Sequence, residues 1–226
     1  MRKKIVLLVI VILLILGGGI FLGGYLYITQ VPKENPDEYA WISIPGTGID
    51  APVLQSAEDN SFYTTHNAEG AEDPDGAIYT ENYNSRTFDD PITVVYGKNK
   101  ADGSMFGGLY QYKDNVYMKE HNLIYVSVGD TTYKYQIFAA YQSDSRHIME
   151  RFESGKSKGN MKAYLKSILE NRTMGAQIDE SVKVTEDSKI LTLSTHDDSD
   201  EQARFLVQAV LVEKMEKTEK NVEVGK

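Results

Sequence analysis

Short apolar segments separated by turn residues recur along most of this chain, and they constrain its fold more than any other feature. The aromatic content is high, with 15 tyrosines and seven phenylalanines, and aromatic side chains pack well on pleated surfaces. Several short strands with turns between them predict a mainly β protein, built as a barrel or a sandwich. The predicted strands are Trp41–Ile44, Ala51–Leu54, Ala77–Tyr79, Ile92–Tyr96, Leu123–Val128, Thr132–Ala140, Lys189–Thr195 and Arg204–Val212.

One segment has the period of a helix instead. Its apolar residues fall at i, i+3, i+4, i+7 and i+8, which places them on one face of a helix running from about Asn160 to Asn171. The simplest role for this face is packing against the strands. The apolar positions are Met161, Tyr164, Leu165, Ile168 and Leu169.

The N-terminal region predicts a membrane anchor. Residues 5–28 form 24 positions without a charge, which is long enough for a helix to cross a bilayer. Arg2, Lys3 and Lys4 precede the run and favour a cytoplasmic N-terminus with the rest of the chain extracellular. A cleaved signal peptide is the alternative, but the run is long for one and no A-x-A-like site follows it.

These features give a domain plan. We expect a cytoplasmic stub and single-pass signal-anchor at 1–28, a linker at 29–38, a folded domain at 39–212 and a charged tail at 213–226. The expected location is the cell membrane, with the C-terminal domain outside.

Charge and cysteine content exclude several classes of function. The chain carries a net charge of −9, and since the first 28 residues carry +3, the remainder carries −12. Such a surface disfavours nucleic acid binding, which needs a positive field. The chain has no cysteine and therefore no disulfide, no thiolate metal site and no thiol nucleophile.

Three stretches, in this order, carry a resemblance to a known family. They are WISIPGTGIDAPVLQ at Trp41–Gln55, VYGKNKADGSMFGGL at Val95–Leu109 and LTLSTHDDSDEQARFLVQAVL at Leu191–Leu211. Together they resemble a class B sortase over residues 39–212. The resemblance implies an eight-stranded β-barrel with a helix in the long loop between its sixth and seventh strands.

The resemblance also implies an activity, which is transpeptidation. In that family a cysteine attacks a five-residue sorting signal, forms a thioester and passes the acyl group to an amine of the cell wall or of a pilin. A histidine moves protons, and an arginine stabilises the substrate or the oxyanion.

Two of these three catalytic positions are changed here. Lys98 stands where the family has histidine, His196 follows Leu-Ser-Thr where the family has cysteine, and Arg204 is retained. The resemblance further implies substrate contacts by a retained set of polar and apolar side chains. These are Asn99, Ser104, Met105, Ser194 and Thr195.

The substitutions predict a loss of sortase turnover. An imidazole is a poor substitute for a thiolate, and a lysine ammonium is a weak proton donor near neutral pH. If Lys98 and His196 face each other, double protonation is disfavoured, so we expect a charged Lys98 and a neutral His196. Ser194 and Thr195 are expected to be strand-end residues rather than nucleophiles, because no general base accompanies them.

The loop after His196 is rich in acidic side chains. Asp197, Asp198 and Asp200 are weak candidates for metal ligands, but their spacing matches no calcium loop and a solvated acidic loop is favoured. We therefore expect no bound metal and no cofactor.

Three functions remain open. The favoured one is an accessory module that binds a sorting-signal peptide or a pilin and assists an active sortase. The second is an active transpeptidase or hydrolase with altered catalytic residues, serving surface-protein anchoring or pilus assembly. The third is a structural surface protein.

Overall fold

The computed structural model describes residues 35–152, 157–197 and 200–217. Nine strands form its framework. They are β1 Glu38–Ile44, β2 Ile49–Leu54, β3 Tyr79–Thr80, β4 Ile92–Tyr96, β5 Leu123–Val128, β6 Thr131–Asp144, β7 Gln177–Ile178, β8 Ile190–Asp197 and β9 Asp200–Glu216. The helices are α1 Asn115–Glu120, α2 Ile148–Arg151 and α3 Lys158–Leu169, with 3-10 turns at Phe62–Thr64 and Gly107–Lys113.

Eight of the strands close into a barrel. Their order is β5-β1-β2-β3-β4-β8-β9-β6, and a direct pairing of β5 with β6 joins the two ends. β7 contributes only two residues and pairs with β6 outside this ring. The predicted mainly β, eight-stranded barrel is therefore confirmed, and closure leaves few free edges for the chain to protect.

The ends of the sheet differ in detail from the sequence prediction. β1 begins at Glu38, inside the predicted linker, and β9 continues to Glu216, past the predicted start of the tail at residue 213. β9 extends because it stays paired with β6 as far as Thr131↔Glu216. Charged side chains on the outer face do not prevent a backbone ladder from forming. The two-residue β7 was not predicted, since it is too short to show a pattern.

The predicted amphipathic helix is α3. It begins after Ser157, whose hydroxyl accepts a hydrogen bond from the Asn160 backbone N–H at 3.1 Å and so caps the helix. Four of the five predicted apolar positions are buried, and Leu169 is partly buried. The helix lies in the connection between β6 and β8, which are the sixth and seventh strands of the barrel. This position agrees with the one that the resemblance implies.

Two apolar clusters flank the sheet. The first fills the barrel and includes Ile42, Val126 and Leu193, while the second lies between the sheet and α3 and includes Ile168 and Leu206. β8 is buried on both sides because its alternate residues enter the two clusters, so Ile190 to Thr195 are all buried. The buried part of β8, ILTLST, accordingly consists of apolar and small hydroxyl side chains and carries no charge.

The predicted anchor at residues 5–28 lies outside the described residues. Within residues 35–152, 157–197 and 200–217, no helix is both long enough and apolar enough to cross a membrane.

Candidate functional site

The end of strand β8 brings the three changed or retained family positions together. β4 pairs with β8 in parallel, with Tyr96 opposite Ser194, so the residues that follow β4 lie beside His196. On the other side of β8, His196 pairs directly with Arg204 of β9. Lys98, His196 and Arg204 all line the same cavity. The predicted convergence of these side chains on one cleft at the barrel edge therefore holds.

The loop after β4 folds back tightly, which explains its glycines. The Gly97 N–H donates to the Ser194 carbonyl at 3.2 Å, and a Cβ at Gly97 would lie 2.7 Å from the buried Phe106 ring. A Cβ at Gly107 would lie only 2.0 Å from the Lys100 carbonyl oxygen. No side chain fits at either position. The glycines of the VYGKNKADGSMFGGL motif thus shape the loop that carries Lys98.

His196 is in hydrogen-bond contact with its cross-strand neighbour Arg204. An Arg204 Nη1 lies 3.1 Å from His196 Nδ1, and a guanidinium can only donate, so Nδ1 accepts the hydrogen bond. The His196 carbonyl also accepts from the Tyr110 hydroxyl at 3.0 Å, which ties the end of β8 to the 3-10 turn at Gly107–Lys113. The neutral state expected for His196 stays a prediction.

Lys98 lies on the opposite side of the cleft from Arg204. Its ammonium donates to the Pro74 carbonyl, and the side chain is exposed. The contact joins the loop after β4 to the loop that precedes β3. Lys98 is therefore placed at the cleft wall by a neutral backbone oxygen.

The cavity has a volume of about 310 Å³ and a mixed polar and aromatic wall. Volumes near this value lie at the small end of the range for ligand pockets. It is open to solvent at the barrel edge and is bounded by residues of β3, β4, β8 and β9 and by the loop after β6. Its lining includes Tyr79, Glu81, Tyr96, Lys98, Arg146, His147, Ser194, Thr195, His196 and Arg204.

A second histidine enters this cavity, and the sequence did not indicate it. His147 Nε2 lies 2.6 Å from a Glu81 carboxylate oxygen, which also accepts from the Tyr96 hydroxyl at 3.1 Å. His147 Nδ1 accepts from the Glu150 N–H at 3.3 Å and caps α2. Because 66 residues separate His147 from Glu81, no local pattern could have shown this pair.

Two stacked tyrosines form the floor beside Glu81. The rings of Tyr79 and Tyr96 lie 5.3 Å apart. Burial, and to a lesser extent the Glu81 carboxylate, raise the pKa of Tyr79 to about 12 against the opposing effect of Arg204. Burial and the same carboxylate also raise the pKa of Tyr96 above its usual value. Both phenols are therefore protonated at neutral pH.

Ser194 and Thr195 lie in the wall of the cavity and are 4% and 1% exposed. Thr195 Oγ1 is buried and has no hydrogen-bond partner in the part of the chain that the structure describes. A buried hydroxyl without a partner costs about 1–3 kcal/mol. The expectation that both are strand-end residues agrees with their position in β8.

The other three predicted peptide contacts lie apart from this cavity. Asn99 and Met105 form an isolated bridge, and Ser104 Oγ donates to Asp102 at 2.6 Å. Ser104 and Met105 line a shallower depression that also includes Asp73. Their contact with a peptide stays a prediction.

The weak metal candidates cannot be placed. The side chains of Asp197, Asp198 and Asp200 lie outside the described residues. Among the side chains that are described, no group of three or more histidine, aspartate or glutamate residues could hold a metal ion.

Three features define a sortase-type domain. They are a closed eight-stranded barrel, a helix between its sixth and seventh strands, and a cleft where β4, β8 and β9 meet. The family model described as Sortase domain matches residues 42–212. The chain belongs to the class B sortase family.

Individual relatives support this assignment. Sortase B of Listeria monocytogenes is 32% identical over 189 residues, covering 83% of this chain and 74% of that protein. Its solved structure has a TM-score of 0.69 and 31% identity, covering 81% of this chain and 99% of the other. A Staphylococcus aureus sortase B–substrate complex has a TM-score of 0.70 and 25% identity, covering 82% and 84%.

Proposed function

We propose that this chain is a membrane-anchored, extracellular sortase-like module that binds a sorting-signal peptide and does not act as a cysteine transpeptidase. One observation carries the proposal: His196 stands near the end of β8 in a chain that has no cysteine, and it lines one cavity together with Lys98 and Arg204. A relative has been solved as a sortase B–substrate complex, which supports peptide binding in this fold. The apolar run at residues 5–28 supports the membrane anchor.

The chemistry of the cleft supports inactivity. Thioester formation needs a sulfur, and the loss of a nucleophile from a cooperating set typically costs a factor of about 10⁴ to 10⁶. His196 Nδ1 already accepts a hydrogen bond from Arg204, so that nitrogen is not free to attack a carbonyl. Arg204 remains in the cleft and can bind the peptide backbone or an oxyanion.

Activity and binding are tested separately on the purified extracellular part of the chain. A fluorogenic sorting peptide with a triglycine amine should give no product above background, while an active class B sortase run in parallel gives product. Product formed by this chain would overturn the inactivity. Binding is measured with a library of acetylated pentapeptides by affinity selection and mass spectrometry, and the best members should bind with a Kd below about 1 mM. If none does, peptide binding is ruled out.

A restoring pair of substitutions tests the cleft itself. Lys98→His combined with His196→Cys should produce measurable peptide cleavage, because both groups return to positions that the barrel already holds. The single variants Lys98→His and His196→Cys serve as controls and should each stay far below the double variant, since the thiol and the imidazole act together. If the double variant cleaves no more peptide than the single variants, the cleft no longer holds a peptide in a reactive geometry.

A further inference from the structure

The charged side chains of the cleft divide into two groups by their partners. Glu81 is bonded to His147, Asp144 forms an ion pair with Arg146, and Asp75 forms an ion pair with Lys100 at 2.6 Å. Each of these acids has a basic partner. None of them is bonded to Lys98 or to Arg204.

Lys98 and Arg204 have neutral partners instead. Among the described residues, Lys98 is bonded to the Pro74 carbonyl, and Arg204 is bonded to the Ala203 carbonyl and to His196 Nδ1. His196 stands between them on β8. An imidazole at this position supplies no negative charge. Among the described side chains, Lys98 and Arg204 therefore flank His196 without a bonded anion.

A carboxylate matches this arrangement. A guanidinium binds a carboxylate through two parallel hydrogen bonds, and an ammonium adds a point charge on the other side. Capture of a peptide's C-terminal carboxylate by fixed donors is an established recognition mode. An uncut sorting signal instead places a neutral amide here, which gains less from the two cations.

We propose that the cleft selects an extended peptide that ends in a free α-carboxylate, held between Lys98 and Arg204. This inference rests on the proposed peptide-binding function and names its ligand class. A peptide of this kind is what hydrolysis of an acyl–enzyme intermediate releases, so the reaction that supplies it is the hydrolytic release of a cut signal by an active sortase. The chain then binds the cut form in preference to the intact one.

The test compares matched peptides. The acetylated pentapeptide library is synthesised twice, once as free acids and once as C-terminal amides. The sequence that binds most tightly as an acid is then measured by calorimetry in three forms: the acid, the amide and the glycine-extended acid. The pentapeptide acid should bind at least about tenfold more tightly than its amide or its extended form. Raising NaCl from 50 to 500 mM should reduce this preference, because the attraction between partly exposed charges is screened.

Variants assign the preference to the two cations. Lys98→Met and Arg204→Gln should each reduce the acid-over-amide ratio to below about threefold. Lys134→Met and Arg172→Gln are the matched controls, since Lys134 pairs with Glu213 and Arg172 bonds to the Leu169 carbonyl, both away from the cleft, and they should keep the full ratio. Thermal melting checks that each variant folds. If Arg204→Gln does not fold, the acid-over-amide ratio of Lys98→Met decides the question. The Lys98 side chain is exposed, so its replacement should not disturb folding.

The outcomes separate this inference from the function on which it rests. Equal binding of acid and amide overturns the carboxylate preference and leaves peptide binding intact. No binding of either peptide below about 1 mM overturns both. An acid preference that survives in both cleft variants shows that the carboxylate binds elsewhere on the chain.

Discussion

Tyr164 anchors α3 to the barrel through a buried polar network. Its hydroxyl lies 2.6 Å from Thr192 Oγ1 and donates to Gln208 Oε1 at 3.0 Å, while Gln208 Nε2 donates to the Tyr141 hydroxyl at 3.1 Å. Thr192 and Gln208 are completely buried, and Tyr164 is 2% exposed. The substitution Tyr164→Phe removes one hydroxyl and keeps the ring. We expect its effect on stability to depend strongly on pH.

At pH 8 the loss should be modest. Thr192 Oγ1 also donates to Gln208 Oε1 at 2.8 Å, so these two groups keep each other as partners when the phenol is removed. No buried polar atom is then left without a partner among them. The expected loss in the free energy of unfolding is about 1 kcal/mol, which is typical of one hydrogen bond. For a domain of this size, that loss lowers Tm by about 2–4 °C.

At alkaline pH the loss should disappear. Burial raises the pKa of Tyr164 to about 12, against the opposing effect of its hydrogen bonds to Thr192 and Gln208. The folded state therefore keeps a proton that the unfolded state, with a pKa near 10, gives up. This contribution is complete below pH 10 and is lost as pH rises to 12. By pH 11 the wild type has lost on the order of 1 kcal/mol that the phenylalanine variant does not lose.

Urea unfolding at pH 8, 9, 10 and 11 measures both effects. The destabilisation by Tyr164→Phe should fall from about 1 kcal/mol at pH 8 to near zero at pH 11. Tyr83→Phe is the control at pH 8, because Tyr83 is 50% exposed, and it should change stability by less than about 0.5 kcal/mol. A destabilisation that is the same at pH 8 and pH 11 would refute the coupling of this phenol's ionisation to folding.

Two further substitutions test how the cleft is built. Gly107→Ala should destabilise the domain by about 1–3 kcal/mol in urea unfolding, because its Cβ would meet the Lys100 carbonyl oxygen at 2.0 Å. Gly159→Ala, with only an ordinary contact in α3, should raise stability by about 0.5 kcal/mol, and equal effects at the two glycines would contradict this reasoning. Glu81→Ala should cost about 1.5–3 kcal/mol and speed hydrogen exchange in the loop after β6, since His147 loses its acceptor. Unchanged exchange there would show that the contact does not hold the loop.

Much of the fold was predictable because its signals are local. Period-two and continuous apolar segments indicated all eight barrel strands, and the spacing of the apolar residues indicated α3 to within two residues at each end. β7 was missed because two residues carry no period. The end of β9 was missed because pairing with β6 outweighs the charged composition of residues 213–216.

The candidate site was predictable only in part. The motif around Lys98 and the Leu-Ser-Thr segment before His196 indicated which residues meet, through the resemblance rather than through any periodicity. The Glu81–His147 contact had no such signal, because the two residues are 66 positions apart and lie in unrelated loops. Asn99, Ser104 and Met105 share a motif with Lys98 but do not line the same cavity, since the chain reverses between Asn99 and Met105, which form an antiparallel bridge.

The sequence by itself determined the elements and the absence of a thiol, because both depend only on residue type and short-range order. The tertiary structure decided which charges meet. Strand β8 pairs with β4 on one side and with β9 on the other, so the register of three strands places Lys98 and Arg204 on either side of His196. Electrostatic interactions depend on distance in space, and distances between residues far apart in the chain are fixed only when the strands pair.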